Sequence, residues 1–163
     1  MLSGEKIQYQ RLEDFKAGSE RYDLILLRHV LEHVHDPIGF LQSLARRLTP
    51  GGVLYVEVPN QDSAYIRLFG ARANVFAVPF HLFYFAGPSL ERVVNAAGLK
   101  LKCQIKQKGM PLTGSVIAEL LKQERRLWHQ LAGILLHPFQ FALERCYGKP
   151  NLAAFCCLNS PGD

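Results

Sequence analysis

The sequence predicts an α/β protein built on a mainly parallel sheet, and three stretches carry that reading. Tyr22-Asp-Leu-Ile-Leu-Leu27 is a short continuous apolar run of the kind that forms a strand buried on both faces. Behind it, Val30, Leu31, Val34, Ile38, Leu41, Leu44, Ala45 and Leu48 recur at helical spacing. Pro50-Gly51-Gly52 then stops the helix, and Val53-Leu-Tyr-Val-Glu-Val58 follows at once as a second buried strand. Strand, helix, tight turn and strand make one right-handed βαβ unit.

The remaining elements follow in chain order. Lys6 to Gln10 alternates enough for a short strand, and Leu12 to Ser19 reads as a loop. Asp36-Pro37 marks a restart within the first helical stretch. Residues 61–85 carry scattered aromatics without a period, as expected of an irregular loop or short helix over a site. Gly87-Pro88-Ser89 opens the next helix with Gly87 at the cap; Leu90, Val93, Val94 and Ala97 form its buried stripe and Gly98 ends it. A strand from Leu99 to Gln107 comes next, its lysines expected on one solvated face. A long helical stretch from about Ser115 to Tyr147, kinked at Pro138, leads to a final apolar strand, Asn151 to Leu158. The chain is thus expected to form one domain over 1–163: a main part at 1–110, a helical insertion at 111–148, and a last strand and tail at 149–163.

Composition narrows the function classes. At 163 residues and 48% hydrophobic content the chain buries one core, and 20% charged residues set it apart from disordered sequences. Its net charge of +5 is spread from Lys6 to Lys149 with only small clusters, so no nucleic-acid partner is expected. Cys103, Cys146, Cys156 and Cys157 lack C-x-x-C spacing, and Met1-Leu-Ser-Gly-Glu-Lys6 has no apolar h-region. Reduced thiols in a cytoplasmic protein are expected. The greasiest stretch, Leu131 to Leu143, is interrupted by His137, Pro138 and Gln140 and falls short of the ~20 residues of a membrane span. The apolar surface of residues 127–147 suits packing on the domain first and peripheral membrane contact second.

Ligands in open α/β sheets bind beyond the carboxyl ends of the strands, which points just past Leu27 and Val58. There the sequence reads Arg28-His29-Val-Leu-Glu32-His33-Val-His35-Asp36-Pro37, dense in titratable groups. On a helix His29, Glu32 and His33 would share one side. They also match the H-x-x-E-H zinc-peptidase pattern, with Glu32 as base and two histidines on zinc. That reading lacks an evident third ligand, and a plain solvated helix start outweighs it. His35-Asp36 is most simply a local cap. His81 divides between a substrate-facing role and a hydrogen bond that holds the aromatic loop.

Taken in order, Tyr22-Asp-Leu-Ile-Leu-Leu-Arg-His-Val-Leu-Glu-His-Val-His-Asp-Pro37, Leu48-Thr-Pro-Gly-Gly52, Val56-Glu-Val-Pro-Asn60, His81-Leu-Phe-Tyr-Phe85, Ser89-Leu90 and Ala97-Gly98 resemble the later half of class I S-adenosylmethionine-dependent methyltransferases that act on small molecules. The resemblance covers roughly residues 5 to 108. It implies an incomplete Rossmann-like fold: a mainly parallel sheet with a late antiparallel strand and helices on both faces. It also implies S-adenosylmethionine as cofactor, with His29 lining its pocket, Leu27 and Arg28 contributing backbone, and Glu13 and Asp14 near the adenine. Asn60 and His81 face the acceptor, with His81 as the candidate base and His29 as the second catalytic candidate. Some relatives that methylate quinone-ring hydroxyls hold a divalent metal here with acidic residues and a histidine; this chain has His29 in place of the first acid, so no metal is expected.

The family's opening strand, its G-x-G-x-G loop and the acid-tipped second strand are not found between Met1 and Leu24. The resemblance then implies a truncated domain with an unpaired edge at Leu24–Leu27, weak or inactive alone. The function that the resemblance implies is methyl transfer to a small molecule or cell-envelope precursor. A non-catalytic remnant or interaction module is the alternative, and a zinc hydrolase a remote one.

Overall fold

A computed structural model describes residues 19–63, 66–67, 80–107 and 149–159, with isolated positions at 135, 138, 141–142 and 145. Four strands build one sheet: β1 (Tyr22–Arg28), β2 (Leu48–Pro59), β3 (Leu99–Gln107) and β4 (Asn151–Leu158), in the order β1-β2-β4-β3. β1 and β2 run parallel, and β4 runs antiparallel to both β2 and β3. Three strands therefore point one way, and the last in sequence is inserted against them, as expected.

The core lies on the face of the sheet covered by α1 (Pro37–Ala45) and α2 (Gly87–Ala96), which also touch each other. Ile25 and Leu27 of β1, Leu54, Val56 and Val58 of β2, and Leu152, Ala154 and Cys156 of β4 alternate onto that face. They meet Phe40, Leu41 and Leu44 of α1 and Leu90 and Val94 of α2. Each fully buried aliphatic side chain contributes roughly 1.5–3 kcal/mol, so this layer holds the fold.

β1 departs from expectation, because Leu24 and Leu26 are 55% and 63% exposed. Both described helices pack on the Ile25–Leu27 side, and β1 ends the sheet among the described residues. The apolar run is thus buried on one face only.

The first helical stretch is also divided. A 3-10 turn covers Leu31–His33, Val34 is extended, and α1 begins at Pro37. Asp36 caps it, its Oδ1 accepting from the Gly39 amide at 2.9 Å. Residues before proline avoid helical angles, which enforces the restart. α1 ends at Ala45, and β2 already begins at Leu48. Tyr22 lies opposite Leu48 but Leu24 opposite Val53, so Pro50-Gly51-Gly52 forms a bulge inside β2 and not a turn before it. Gly51 carries the positive φ of +84° that the bulge requires.

α2 is capped by Ala86 rather than Gly87: the Ser89 hydroxyl accepts from the Ala86 amide at 2.9 Å, and Gly98, at φ +77°, ends the helix. Along β3 the lysines do not keep one face. Leu101 pairs with Cys156 and Cys103 with Phe155, so Lys102 is bulged out and the alternation switches behind it. Lys100 shares a face with Cys157, whereas Lys106 shares one with Leu152.

No described helix is long and apolar enough to cross a membrane. The expected strand at Lys6–Gln10 lies outside the described residues, as do most of the expected Ser115–Tyr147 helix and the 127–147 surface.

Candidate functional site at the carboxyl ends of β1 and β2

Immediately after β1 the backbone of His29 turns left-handed, with φ +50°, the only non-glycine among the described residues to do so. That conformation costs roughly 1–2 kcal/mol for a residue with a Cβ. It is offset locally: the His29 amide donates to the Glu57 carbonyl at 2.9 Å. The turn aims the ring between two carboxylates, Nδ1 lying 3.3 Å from Glu32 Oε1 and Nε2 3.6 Å from Glu57 Oε1. The hydrogen bond with Glu32 raises the imidazole pKa. Burial opposes this, while the Glu32 and Glu57 charges add to it, and the net direction is upward. A ring set between two acceptors favours its doubly protonated form.

Glu57 sits on the sheet face opposite the helices and is almost fully buried. It accepts from Tyr55 Oη at 2.7 Å, Arg28 Nε at 3.0 Å and Asn151 Nδ2 at 3.0 Å. Burial pushes its carboxyl upward, but the hydrogen bonds from Tyr55 and Arg28 and the charges of Arg28 and His29 outweigh it, so the pKa falls below the usual range. Sequence reading passed over Glu57 as one residue of an apolar strand. A lone carboxylate in a run of buried hydrophobes was the available signal, because such a group stays charged only when partnered.

Glu32 is fully buried in the 3-10 turn. Its carbonyl accepts from the amides of Leu82 at 2.8 Å and Phe83 at 3.2 Å, which stitches the 80–85 segment onto the site. Its Oε2 has no hydrogen-bond partner among the described residues. A buried polar atom left so costs roughly 1–3 kcal/mol, more when charged. His33 Nδ1 lies 2.8 Å from the Phe80 carbonyl, and its ring meets His81 edge-on with centroids 4.7 Å apart.

Several expected site residues therefore converge, though not by one helix: a left-handed residue and a 3-10 turn bring His29 and His33 around Glu32. Leu27 is packed in the core and Arg28 points outward onto Glu57. Asn60 is buried, its Nδ2 donating to the Lys149 carbonyl at 2.8 Å and its Oδ1 accepting from the Asp62 amide at 3.1 Å. It ties the end of β2 to the approach of β4. His81 stands beside His33, whereas Glu13 and Asp14 lie outside the described residues. His29, which stands where the resemblance would have the first metal-binding acid, turns its ring toward Glu32. The H-x-x-E-H reading would aim both histidines at one metal, whereas both His29 nitrogens face carboxylates.

Residues 3–104 match the family model described as a methyltransferase domain. The ubiquinone biosynthesis O-methyltransferase of Aeromonas salmonicida is 30% identical over 108 residues, covering 61% of this chain and 45% of that protein. The chain thus spans under half the length of this relative. In three dimensions, a SAM-dependent methyltransferase from Archaeoglobus fulgidus superposes with a TM-score of 0.54 at 16% identity, covering 92% of this chain and 66% of that one. A Burkholderia thailandensis 1,6-didemethyltoxoflavin-N1-methyltransferase, solved with S-adenosylhomocysteine and 1,6-didemethyltoxoflavin, gives 0.50 at 15% identity over 90% and 48% of the two chains. These structures share the Rossmann-like fold of the described sheet. The match over more than half of the sequence, joined to a β1–β2 unit with its titratable cluster at the carboxyl ends, shows that the chain belongs to the methyltransferase domain family.

Proposed function

We propose that this chain supplies one wall of the cofactor pocket and the acceptor side of an S-adenosylmethionine-dependent methyltransferase acting on a small molecule or a cell-envelope precursor. The observation that carries the reading is His29, held between Glu32 and Glu57 at the carboxyl end of β1, where open α/β sheets bind ligands. The name of the Aeromonas relative supports an oxygen acceptor. In the reaction, the acceptor oxygen attacks the methyl carbon of the sulfonium. The carbon–sulfur bond breaks with its electron pair moving to sulfur, S-adenosylhomocysteine leaves, and the acceptor proton passes to a ring nitrogen of His81. The cofactor arrives activated, so the protein's task is mainly to orient the reactants.

The second reading, a non-catalytic interaction module, draws on exposed Leu24 and Leu26 at the end of the sheet. Isothermal titration of S-adenosylhomocysteine into the purified chain, with His29→Ala as control, separates the two. Micromolar binding lost in the variant supports the enzyme reading. No binding by a folded chain refutes a cofactor site formed by this chain alone and favours the module.

A further inference from the structure

We propose that this chain forms a homodimer in which β1 of two copies pair antiparallel about Ile25 and join the two sheets into one. Among the described residues, the two edges of the sheet are built differently. β3 carries Lys100, Lys102 and Lys106 and is bulged at Lys102, the charges and irregularity that keep an edge from pairing with another chain. β1 has neither lysine nor proline, and its central leucines, Leu24 and Leu26, stand more than half exposed. An apolar strand left open in this way is a template for a partner strand.

The backbone, side chains and end charges of β1 all fit a second copy. In a parallel ladder alternate residues bond to the neighbouring strand, and the His29 amide reaches the Glu57 carbonyl of β2. Leu27 and Ile25 therefore also bond to β2, and the amides and carbonyls of Leu24, Leu26 and Arg28 point to the open edge. A two-fold axis perpendicular to the sheet at Ile25 sets Leu24 of each copy opposite Leu26 of the other, in hydrogen-bonded pairs. Their side chains then meet on the sheet face away from α1 and α2. The Asp23 end of one strand lies against the Arg28 end of the other, whereas parallel pairing would set like charges together. The strand is thus its own complement. α1 packs mainly on β2 and stands back from that edge.

The pairing also bears on the candidate site. Antiparallel strands bring the amino end of β1 in one copy beside the carboxyl end of β1 in the other, where His29 lies between Glu32 and Glu57. The Glu20–Arg21 approach of each chain then borders the site of the opposite one.

The test uses the whole chain and needs neither cofactor nor turnover, so its failure is separable from that of the proposed function. Light scattering after size exclusion, over a dilution series, should show twice the 18.4 kDa of one chain, falling toward the single mass on dilution. Leu24→Lys and Leu26→Lys place a charge at exposed positions and should each leave only folded monomer by circular dichroism and light scattering. Ile105→Lys, at an exposed position on β3, should keep the dimer. The register is read separately. After oxidation of mixed Leu24→Cys and Leu26→Cys chains, peptide mass spectrometry should find disulfides between positions 24 and 26 in excess over those joining like positions. A dimer that survives both lysine substitutions, or like positions joined as readily as unlike ones, would overturn the proposal. So would a parent that is monomeric at every concentration, which would leave the edge to a different chain.

Discussion

Glu57 gives the sharpest quantitative test of how the site is held. Replacing it with alanine strips the acceptor from Tyr55 Oη and Asn151 Nδ2 together. Arg28, whose side chain is 67% exposed, simply returns to water and adds least. A hydrogen bond to a charged group contributes about 1.5–3 kcal/mol, so two of them, only partly regained through solvent, predict a loss of about 3 kcal/mol. Glu57→Gln keeps the volume and removes the charge, and should cost about 1–2 kcal/mol. Urea unfolding followed by circular dichroism reads both values from the midpoints, provided the slope is unchanged. The pH dependence adds a second reading. Because the folded pKa of Glu57 lies below its unfolded value, its contribution is fully present above the ordinary carboxylate pKa of about 4.3. It is lost as pH falls through the depressed folded value, so the gap between parent and Glu57→Gln should close there. An alanine variant within about 1 kcal/mol of the parent, or a gap that does not change with pH, would refute the reasoning.

Two further perturbations probe the frame. Gly98→Ala meets no atom within 4 Å but must hold φ +77°, so it should cost about 1 kcal/mol in the same urea assay, a purely backbone effect. Gly52→Ala, whose Cβ would press on the Thr49 and Tyr22 carbonyl oxygens at 3.0 Å, should cost more; the reverse order would show that contact is not limiting. Burial pushes the Cys156 thiol up to about 12, whereas Cys103 is exposed. Iodoacetamide followed by peptide mass spectrometry should label Cys103 in the native protein and reach Cys156 only on unfolding.

The strands were legible because each is a compact apolar run ended by punctuation: Tyr22 to Leu27, Val53 to Val58 and Asn151 to Leu158 are all strands in the structure. The caps Asp36 and Gly98 were readable for the same local reason. The bulges were not, because Pro50-Gly51-Gly52 and Lys102 acquire their meaning only from the facing strand, which periodicity does not contain. The site was half visible. His29, Glu32 and His33 declared themselves by spacing, but the left-handed turn at His29 depends on a long-range bond to the Glu57 carbonyl. His81 joins them only through amides that bond the carbonyl of Glu32.

The position of β4 bears on how the molecule is made. It pairs through Asn151–Cys157 with β2 on one side and through Asn151–Leu158 with β3 on the other, and those two strands do not pair with each other. Among the described strands the keystone of the sheet is therefore the last one in sequence. During synthesis β1 and β2 can pair before Asn151–Leu158 emerges, but β2 and β3 must wait for the strand that lies between them. A nonsense mutation anywhere before Asn151 thus removes the strand that joins the β1–β2 pair to β3, and the described sheet cannot form as one unit.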